Sequence, residues 1–275
     1  MVQKGVWHKD PHKEYALLEE ISRFKRRLGL LALKEGDLLL SLRLLLQGIN
    51  FYRCWEFPLV LSYFHLDSTV RLLDVGAYRS VFPWVMASRG CEVHVVDIDP
   101  QVSIQRRYER YLRRDGDLEG QVHVTVQNAM ATSFRDEFFD LILNISAVEH
   151  FPGDGDIEFV KEANRILKPG GRLFFSFGIG EEYREGRWEW LFCRTYDKEA
   201  LEKRIIEPSG MEVEAELYFE DKRTRRFTEW WFRLPILLRN GLLGWMQKPL
   251  YERLYLKDKA KKGDGYYLGL VLRKG

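Results

Sequence analysis

The apolar residues in the central part of the chain fall into short, nearly continuous runs. Five runs rich in Val, Ile, Leu and Phe occupy residues 70–75, 92–97, 121–126, 139–146 and 171–178. Strands that are buried on both faces of a parallel sheet have this pattern. Several runs are separated by segments with helical spacing, at about 81–89, 101–113 and 155–167. This alternation predicts an α/β fold with a mostly parallel sheet and right-handed crossovers.

The N-terminal part has a helical rather than a strand pattern. Apolar residues from Leu17 to Leu31 recur at steps of four and three, which places them on one helical face. Gly36-Asp37 interrupts the pattern, and Asp37 can cap the leucine-rich helix that follows. We expect residues 1–66 to form a helical extension or cap that covers the sheet edge or the ligand site. Residues 67–275 then form the main domain.

The C-terminal part predicts a polar loop at 180–195, a helix from Asp197 to about residue 206, and strands at 211–219 and 266–273. The last strand should be antiparallel, because no crossover helix in the regular rhythm precedes it. An insert at 222–262 separates these strands and is rich in aromatic residues. It has twelve basic and three acidic side chains, although the whole chain has a net charge of only +2. Such a segment attracts phosphates, anionic lipid or an acidic substrate, or is simply a solvated surface.

Composition sets further limits. A chain of 275 residues that is 45% hydrophobic can fill one large core. Its three cysteines, Cys54, Cys91 and Cys193, are too widely spaced for a disulfide framework or a metal motif, which favours the reducing cytoplasm. The N-terminus has no signal-peptide pattern, and the richest apolar run, 38–46, is too short to span a membrane.

Two short segments predict the chemistry. Leu73-Asp-Val-Gly76 ends the first strand in a tight turn, and Val95-Val-Asp97 ends the second strand in a carboxylate 23 residues after Asp74. A glycine turn lets a ligand approach the backbone, and a carboxylate at the neighbouring strand end can accept hydrogen bonds from two ribose hydroxyls. This order of elements predicts a site for an adenosine-containing cofactor.

These segments and three others, in the same order, resemble the class I S-adenosylmethionine-dependent methyltransferases. The other three are Gln127-Asn-Ala129, Phe139-Asp-Leu-Ile-Leu-Asn144 with Val148-Glu-His150, and Ile166-Leu-Lys-Pro-Gly-Gly171. The resemblance implies a Rossmann-like, seven-stranded, mostly parallel sheet with helices on both faces and an antiparallel last strand. It also implies S-adenosylmethionine as cofactor, S-adenosylhomocysteine as product, and these cofactor-binding residues: Asp74, Gly76, Ala77, Tyr78, Asp97, Ile98, Asn128, Ala129, Asn144 and Ser146.

Each of these residues also has a purely structural interpretation. Asp74 can bind loop N–H groups, Asp97 can cap a helix, and Asn128 can be a turn residue. Asn144 and Ser146 can be ordinary strand-end residues.

The chain departs from the family in its glycine turn, where Tyr78 and Ser80 occupy positions that are usually glycine. The Tyr78 ring can turn outward, pack against the methionine part of the cofactor, or block the pocket. We expect cofactor binding, because both carboxylates and the Asn128-Ala129 pair are present.

The expected reaction is an in-line displacement, for which positioning supplies most of the acceleration. His150 and Tyr183 are candidate bases, although Glu149-His150 can equally cap a helix or brace strand ends. The acceptor should be a small or lipid-like molecule, with peripheral membrane contact possible through 222–262. Nucleic acid is not expected, because no Asn-Pro-Pro-Tyr or Asp-Pro-Pro-Tyr sequence follows the fourth strand.

Two other functions stay open. A nicotinamide-dependent oxidoreductase shares the turn-and-carboxylate arrangement but normally has three glycines in the turn. A catalytically inactive relative would use the same fold as an interaction module, and the residues at 78 and 80 favour this alternative.

Overall fold

The computed structural model describes residues 11–50, 52–116, 118–188, 191–219 and 267–275, together with residues 230, 233, 234 and 238. Apart from those four residues, the basic insert predicted at 222–262 lies outside the described part of the chain. Within the described part, no helix combines the length and the apolar character needed to cross a bilayer.

Three helices precede the sheet: α1 (Pro11–Lys34), α2 (Leu38–Leu46) and α3 (Arg53–Tyr63). Asp37 caps α2 as predicted, because its carboxylate accepts a hydrogen bond of 3.4 Å from the Leu40 N–H. The apolar stripe of α1 is buried in the same core as α3 and one face of the sheet. The N-terminal segment is therefore built into the main hydrophobic core.

The described residues form nine strands, in the order β1 (Arg71–Val75), β2 (Glu92–Asp97), β3 (Gln121–Val126), β4 (Phe139–Ile145), β5 (Leu167–Gly178), β6 (Arg184–Trp188), β7 (Leu191–Thr195), β8 (Glu212–Phe219) and β9 (Tyr267–Arg273). Seven of them make one sheet in the spatial order β3-β2-β1-β4-β5-β9-β8. Strands β1 to β5 pair in parallel, whereas β9 is antiparallel to both of its neighbours. The predicted fold class is confirmed.

Helices cover both faces of this sheet: α4 (Phe82–Ala87), α5 (Gln105–Asp115), α6 (Gly155–Ile166), α7 (Lys198–Leu201) and α8 (Glu207–Ser209). Short 3-10 turns occupy Pro100–Ile104 and Val148–His150, and a π turn at Glu202–Ile206 joins α7 to α8. Successive residues of β1 point to opposite faces of the sheet and so belong to different hydrophobic cores. Leu72 lies in the core with α1 to α5, and Leu73 lies in the core with α6 and α7.

One predicted loop is wrong. Residues in the range 180–195 form an antiparallel hairpin of β6 and β7, with Glu185 opposite Arg194. The side chain of Arg194 is fully buried and is satisfied by ion pairs. The segment therefore lacks the apolar alternation by which half-buried strands are normally found in a sequence.

Candidate active site

The turn after β1 requires glycine at position 76. Its φ is +75°, and a Cβ placed there would lie 2.7 Å from the Cβ of Ala147, in the loop after β4. The Gly76 N–H also donates to the carbonyl of Val96 at 2.8 Å, which ties the turn to β2. Position 76 thus combines a left-handed backbone with a close approach between two loops.

The Asp97 carboxylate lies beside this turn at the end of β2. Its two oxygens accept hydrogen bonds of 2.9 Å each from the N–H groups of Tyr78 and Asp99. Asp99 caps the following 3-10 turn by accepting from the Gln101 N–H at 2.8 Å. Partial burial raises the pKa of Asp97. Since each carboxylate oxygen has a second lone pair, Asp97 can still accept hydrogen bonds from a ligand.

Tyr78 adopts a left-handed conformation with φ +47°, which is uncommon for a side chain of this size. Its hydroxyl donates to the Gln101 side chain at 3.0 Å, and Gln105 donates to its carbonyl at 3.0 Å. The side chain of Arg79 lies over the ring at 5.1 Å. These contacts direct the phenol toward the segment that follows β2.

A small cleft opens beside Gly76, and its described lining is Arg53, Phe57, Asp74, Gly76, Ala77, Ser80 and Ile145. Tyr78 does not belong to this lining. Asp74 is only 3% exposed, and no described residue donates a hydrogen bond to its carboxylate. Burial raises its pKa to about 7, while the nearby Arg53 acts in the opposite direction and Asp97 adds to the increase. Such a carboxylate is suited to a ligand that brings a cation or N–H donors.

Helix α3 supplies polar groups that sequence reasoning missed. Glu56 is fully buried, and one of its oxygens accepts from the hydroxyls of Ser146 at 2.8 Å and Ser176 at 2.7 Å. Its other oxygen pairs with Arg53, and the Ser146 hydroxyl also contacts the hydroxyl of Tyr267. A single glutamate inside the apolar run 54–61 was the available signal, because a buried carboxylate needs partners.

Hydrogen bonds of its own side chains stabilise the loop after β4. Asn144 is fully buried, and its side-chain oxygen accepts from the Val148 N–H at 2.8 Å. Ser146 has φ +47° and uses its hydroxyl inside the α3 cluster. Both side chains are therefore engaged in shaping the loop. Within Asn144–Ser146, Ile145 is the residue that lines the cleft beside Gly76.

Of the three residues predicted to lie near the adenine, two are exposed and one is buried. Ile98 is 73% exposed, directly after Asp97. Asn128 is exposed, and its side-chain oxygen accepts from the Met130 N–H at 3.0 Å, as in an Asx turn. Ala129 is buried. The turn interpretation of Asn128 is thus realised, although its oxygen keeps a second lone pair.

Glu149 and His150 follow the same loop, under the hairpin. Burial raises the pKa of Glu149 to about 8, and its Oε2 has no hydrogen-bond partner in the part of the chain that the structure describes. The Nδ1 of His150 lies 2.7 Å from the carbonyl of Phe192. Because a carbonyl only accepts, Nδ1 carries the hydrogen and the neutral ring keeps its lone pair on Nε2. Burial lowers the pKa of His150, which favours this neutral form.

Tyr183 belongs to a different network. Its hydroxyl contacts Glu185 and accepts from Arg194 at 2.9 Å. Arg194 pairs with the fully buried Asp156 at 2.8 Å, and Arg204 donates to the same carboxylate. This network fastens the hairpin to the start of α6 and to the π turn. Tyr183 is not among the residues that line the cleft beside Gly76.

The comparisons with known proteins agree with this geometry. Residues 73–175 match the family model described as a methyltransferase domain. Over this segment the chain is therefore similar to methyltransferase domains. All ten predicted cofactor residues and His150 lie inside the matched segment. Arg53 and Glu56 precede it, and Tyr183 follows it.

Among curated relatives, the chain is similar to a ubiquinone biosynthesis O-methyltransferase of Idiomarina loihiensis, with 31% identity over 107 residues, or 38% of this chain and 41% of the relative. An uncharacterised protein of Haemophilus influenzae is 31% identical over 84 residues, which is 30% of this chain and 32% of that protein. The matches thus span only about a third to two fifths of these relatives.

Solved structures share the fold of the methyltransferase domain at low identity. The [4+2]-cyclase SpnF superposes with a TM-score of 0.55 at 24% identity and covers 79% of each chain. A Burkholderia thailandensis 1,6-didemethyltoxoflavin-N1-methyltransferase, solved with its substrate and S-adenosylhomocysteine, has a TM-score of 0.53 at 15% identity and covers 98% of this chain and 92% of its own. A cyclase and a methyltransferase thus share this fold, so the reaction must be argued from the site.

Proposed function

We propose that this protein transfers a methyl group from S-adenosylmethionine to a small or lipid-like acceptor. The observation that carries the proposal is that Gly76 and Asp74 line a cleft, while Asp97 lies at the neighbouring strand end and accepts from the Tyr78 N–H. The Tyr78 hydroxyl is bound to Gln101. A glycine turn, a carboxylate with free lone pairs, and a buried acid that receives no hydrogen bond from the described residues are three separate features. One nucleoside that carries a charged amino acid would satisfy all of them.

The residues present fit this cofactor. Asp97 would accept hydrogen bonds from the two ribose hydroxyls, and the exposed Ile98 offers an apolar surface for the purine. Asn128 and Ala129 would contact the edge of the purine ring. Asp74 would hold the amino group, which removes the cost of burying an unpaired carboxylate. When bound, S-adenosylmethionine supplies a methyl group that its sulfonium centre has already activated.

The protein must then position the acceptor and remove its proton. We assign the base to His150, because its Nε2 lone pair is available and burial favours the neutral ring. The hairpin of β6 and β7 lies against this residue through Phe192 and would help to exclude water. Tyr183 is the less favoured base, since its hydroxyl is already engaged by Glu185 and Arg194.

A small acceptor is consistent with the printed names of the Idiomarina and Burkholderia proteins, both of which methylate small molecules. We propose that the basic insert at 222–262 adds contact with an anionic or lipid-like acceptor, or with a membrane surface. Flotation with anionic vesicles tests this idea: recovery of the protein with the vesicles should depend on the insert, and equal recovery in the aqueous fraction would reject it. The separate cysteines lead us to propose a cytoplasmic location.

Calorimetry tests the cofactor proposal directly. The full chain should bind S-adenosylmethionine and S-adenosylhomocysteine, and Asp97→Ala should reduce both affinities at least tenfold, because each ribose hydrogen bond contributes about 1–3 kcal/mol. Asp136→Ala is the matched control, since its side chain is 74% exposed. Circular dichroism melting would check that the variants fold.

The other outcomes identify the alternatives. Preference for NAD would support the oxidoreductase. A folded wild-type chain that binds neither cofactor would support the interaction module. Cofactor binding without release of S-adenosylhomocysteine, across amine, hydroxyl and thiol acceptors, would leave the fold and site intact but would contradict the proposed reaction.

A further inference from the structure

A cluster of metal-ligating side chains lies on the outer strands of the sheet, away from the cleft. Strands β2 and β3 pair in parallel, and His94 is directly opposite His123 in their register. Glu92 precedes His94 by two residues on β2, so both side chains point to the same face of the sheet. The three donor groups are thus brought together by strand pairing, although 29 residues separate the two histidines.

The side chains are close to one another. Glu92 Oε1 lies 3.0 Å from His94 Nε2, and the centroids of the two imidazole rings are 4.6 Å apart. One ligand atom from each residue can be chosen so that all three lie within 4.8 Å. Arg71 donates to the other carboxylate oxygen, Oε2, at 2.8 Å. This contact leaves Oε1 directed toward the histidines.

We propose that Glu92, His94 and His123 form a binding site for a divalent transition-metal ion of the zinc class. Two imidazoles and one carboxylate are a donor set that suits Zn²⁺, Ni²⁺ or Cu²⁺ and disfavours Mg²⁺ and Ca²⁺, which prefer oxygen ligands. The set leaves at least one coordination position for water.

Binding requires only a small adjustment. At Zn–N distances of about 2.0–2.1 Å, tetrahedral ligand atoms lie roughly 3.4 Å apart. A separation of 4.8 Å must therefore shorten by about 1.4 Å, whereas Glu92 Oε1 and His94 Nε2, which are 3.0 Å apart, must separate slightly. The exposed His123 can make this movement by rotation of its side chain. His94 is held more firmly by edge contacts with Phe134, Phe138 and Phe139, whose ring centroids lie 5.3–5.5 Å away.

The metal would join β3, at the edge of the sheet, to its neighbour β2. Its first consequence would therefore be increased stability of this edge, since a ligand that binds only the folded state stabilises that state. The site is separate from the proposed cofactor site. His94 precedes Asp97 by three residues, or roughly 10 Å along the strand, so the metal and the cofactor should bind independently.

Zinc titration of the full chain, freed of any purification tag, tests the proposal. Calorimetry should show one high-affinity Zn²⁺ per chain and an increase in melting temperature that Mg²⁺ does not produce. His123→Gln should weaken zinc binding at least about tenfold and abolish the zinc-dependent increase. This variant should fold, because the side chain is exposed. His65→Gln is the matched control, since the His65 side chain is 91% exposed and is outside the cluster.

Cobalt substitution identifies the donors. The Co²⁺ spectrum should show nitrogen and oxygen ligation without a thiolate charge-transfer band. The proposal is overturned if the wild-type chain binds no zinc, if His123→Gln binds it as tightly as the wild type, or if thiolate ligation appears. Affinity for S-adenosylhomocysteine should be unchanged in His123→Gln, so this test and the test of the proposed function can fail separately.

Discussion

Replacing Asp74 by asparagine should make the ligand-free protein more stable at pH 8. The pKa of this buried acid is raised from an ordinary value of 3.8 to about 7, chiefly by burial. Between these values the folded state keeps a proton that the unfolded state has lost, so stability falls as the pH rises. A shift of about 3 units at about 1.4 kcal/mol each gives a loss of up to about 4 kcal/mol. Asparagine is neutral at every pH and avoids this loss.

Urea unfolding of the wild type and Asp74→Asn at several pH values between 4 and 9 measures the effect. The stability difference should be small near pH 4 and should grow in favour of the variant until about pH 8. Glu149, whose pKa is raised to about 8, affects both proteins, so the difference between the two curves isolates Asp74. Asp136→Asn, at a side chain that is 74% exposed, is the matched control.

The same variant should bind S-adenosylmethionine more weakly, because the cofactor's amino group loses its anionic partner. For the wild type, affinity should increase as the pH rises through about 7, since only the ionised acid attracts the cation. A flat difference curve, or a variant that is less stable than the wild type at pH 8, would refute the reasoning. It would mean that the acid is already ionised or satisfied in the free protein.

Three further predictions concern the turn, the hairpin and the base. Gly76→Ala should cost about 2–4 kcal/mol of unfolding free energy, from its positive φ and its close neighbour. Gly116→Ala, with φ +80° but open space around it, should cost only about 1 kcal/mol. Equal losses of unfolding free energy in the two variants would contradict the proposed clash at position 76 with Ala147. Arg194→Ala should cost about 1.5–3 kcal/mol, because it removes one buried charged hydrogen bond while Asp156 keeps its pairing with Arg204. Arg184→Ala, at a side chain that is 74% exposed, should change little in chemical denaturation. His150→Gln should lower kcat by about 10²–10⁴ without changing cofactor affinity. Because burial lowers the pKa of His150, wild-type activity should decrease only when the pH falls below the ordinary histidine pKa of 6.5. An unchanged pH profile in the variant would exclude His150 as the base.

Local sequence patterns were sufficient for the fold and for a candidate site at the ends of β1 and β2. Apolar runs report burial on both faces of a strand, and their alternation with helical segments restricts the topology to a few arrangements. Gly76 and Asp97 could be proposed from the sequence because the expected chemistry requires a particular residue at the end of a particular strand. These requirements act over a few residues and are therefore visible along the chain.

The remaining features depend on contacts between distant segments, which only the tertiary structure decides. The buried carboxylate of Glu56 accepts a hydrogen bond from Ser176, which is 120 residues away. The hairpin strand β7 is held by the ion pair of Arg194 with Asp156 on α6. The outward direction of the Tyr78 ring depends on Gln101, and the pairing of His94 with His123 depends on strand register. The physical reason is common to all of them. A sequence shows which residues are polar or apolar, but the partner that satisfies a buried polar group is chosen by three-dimensional packing.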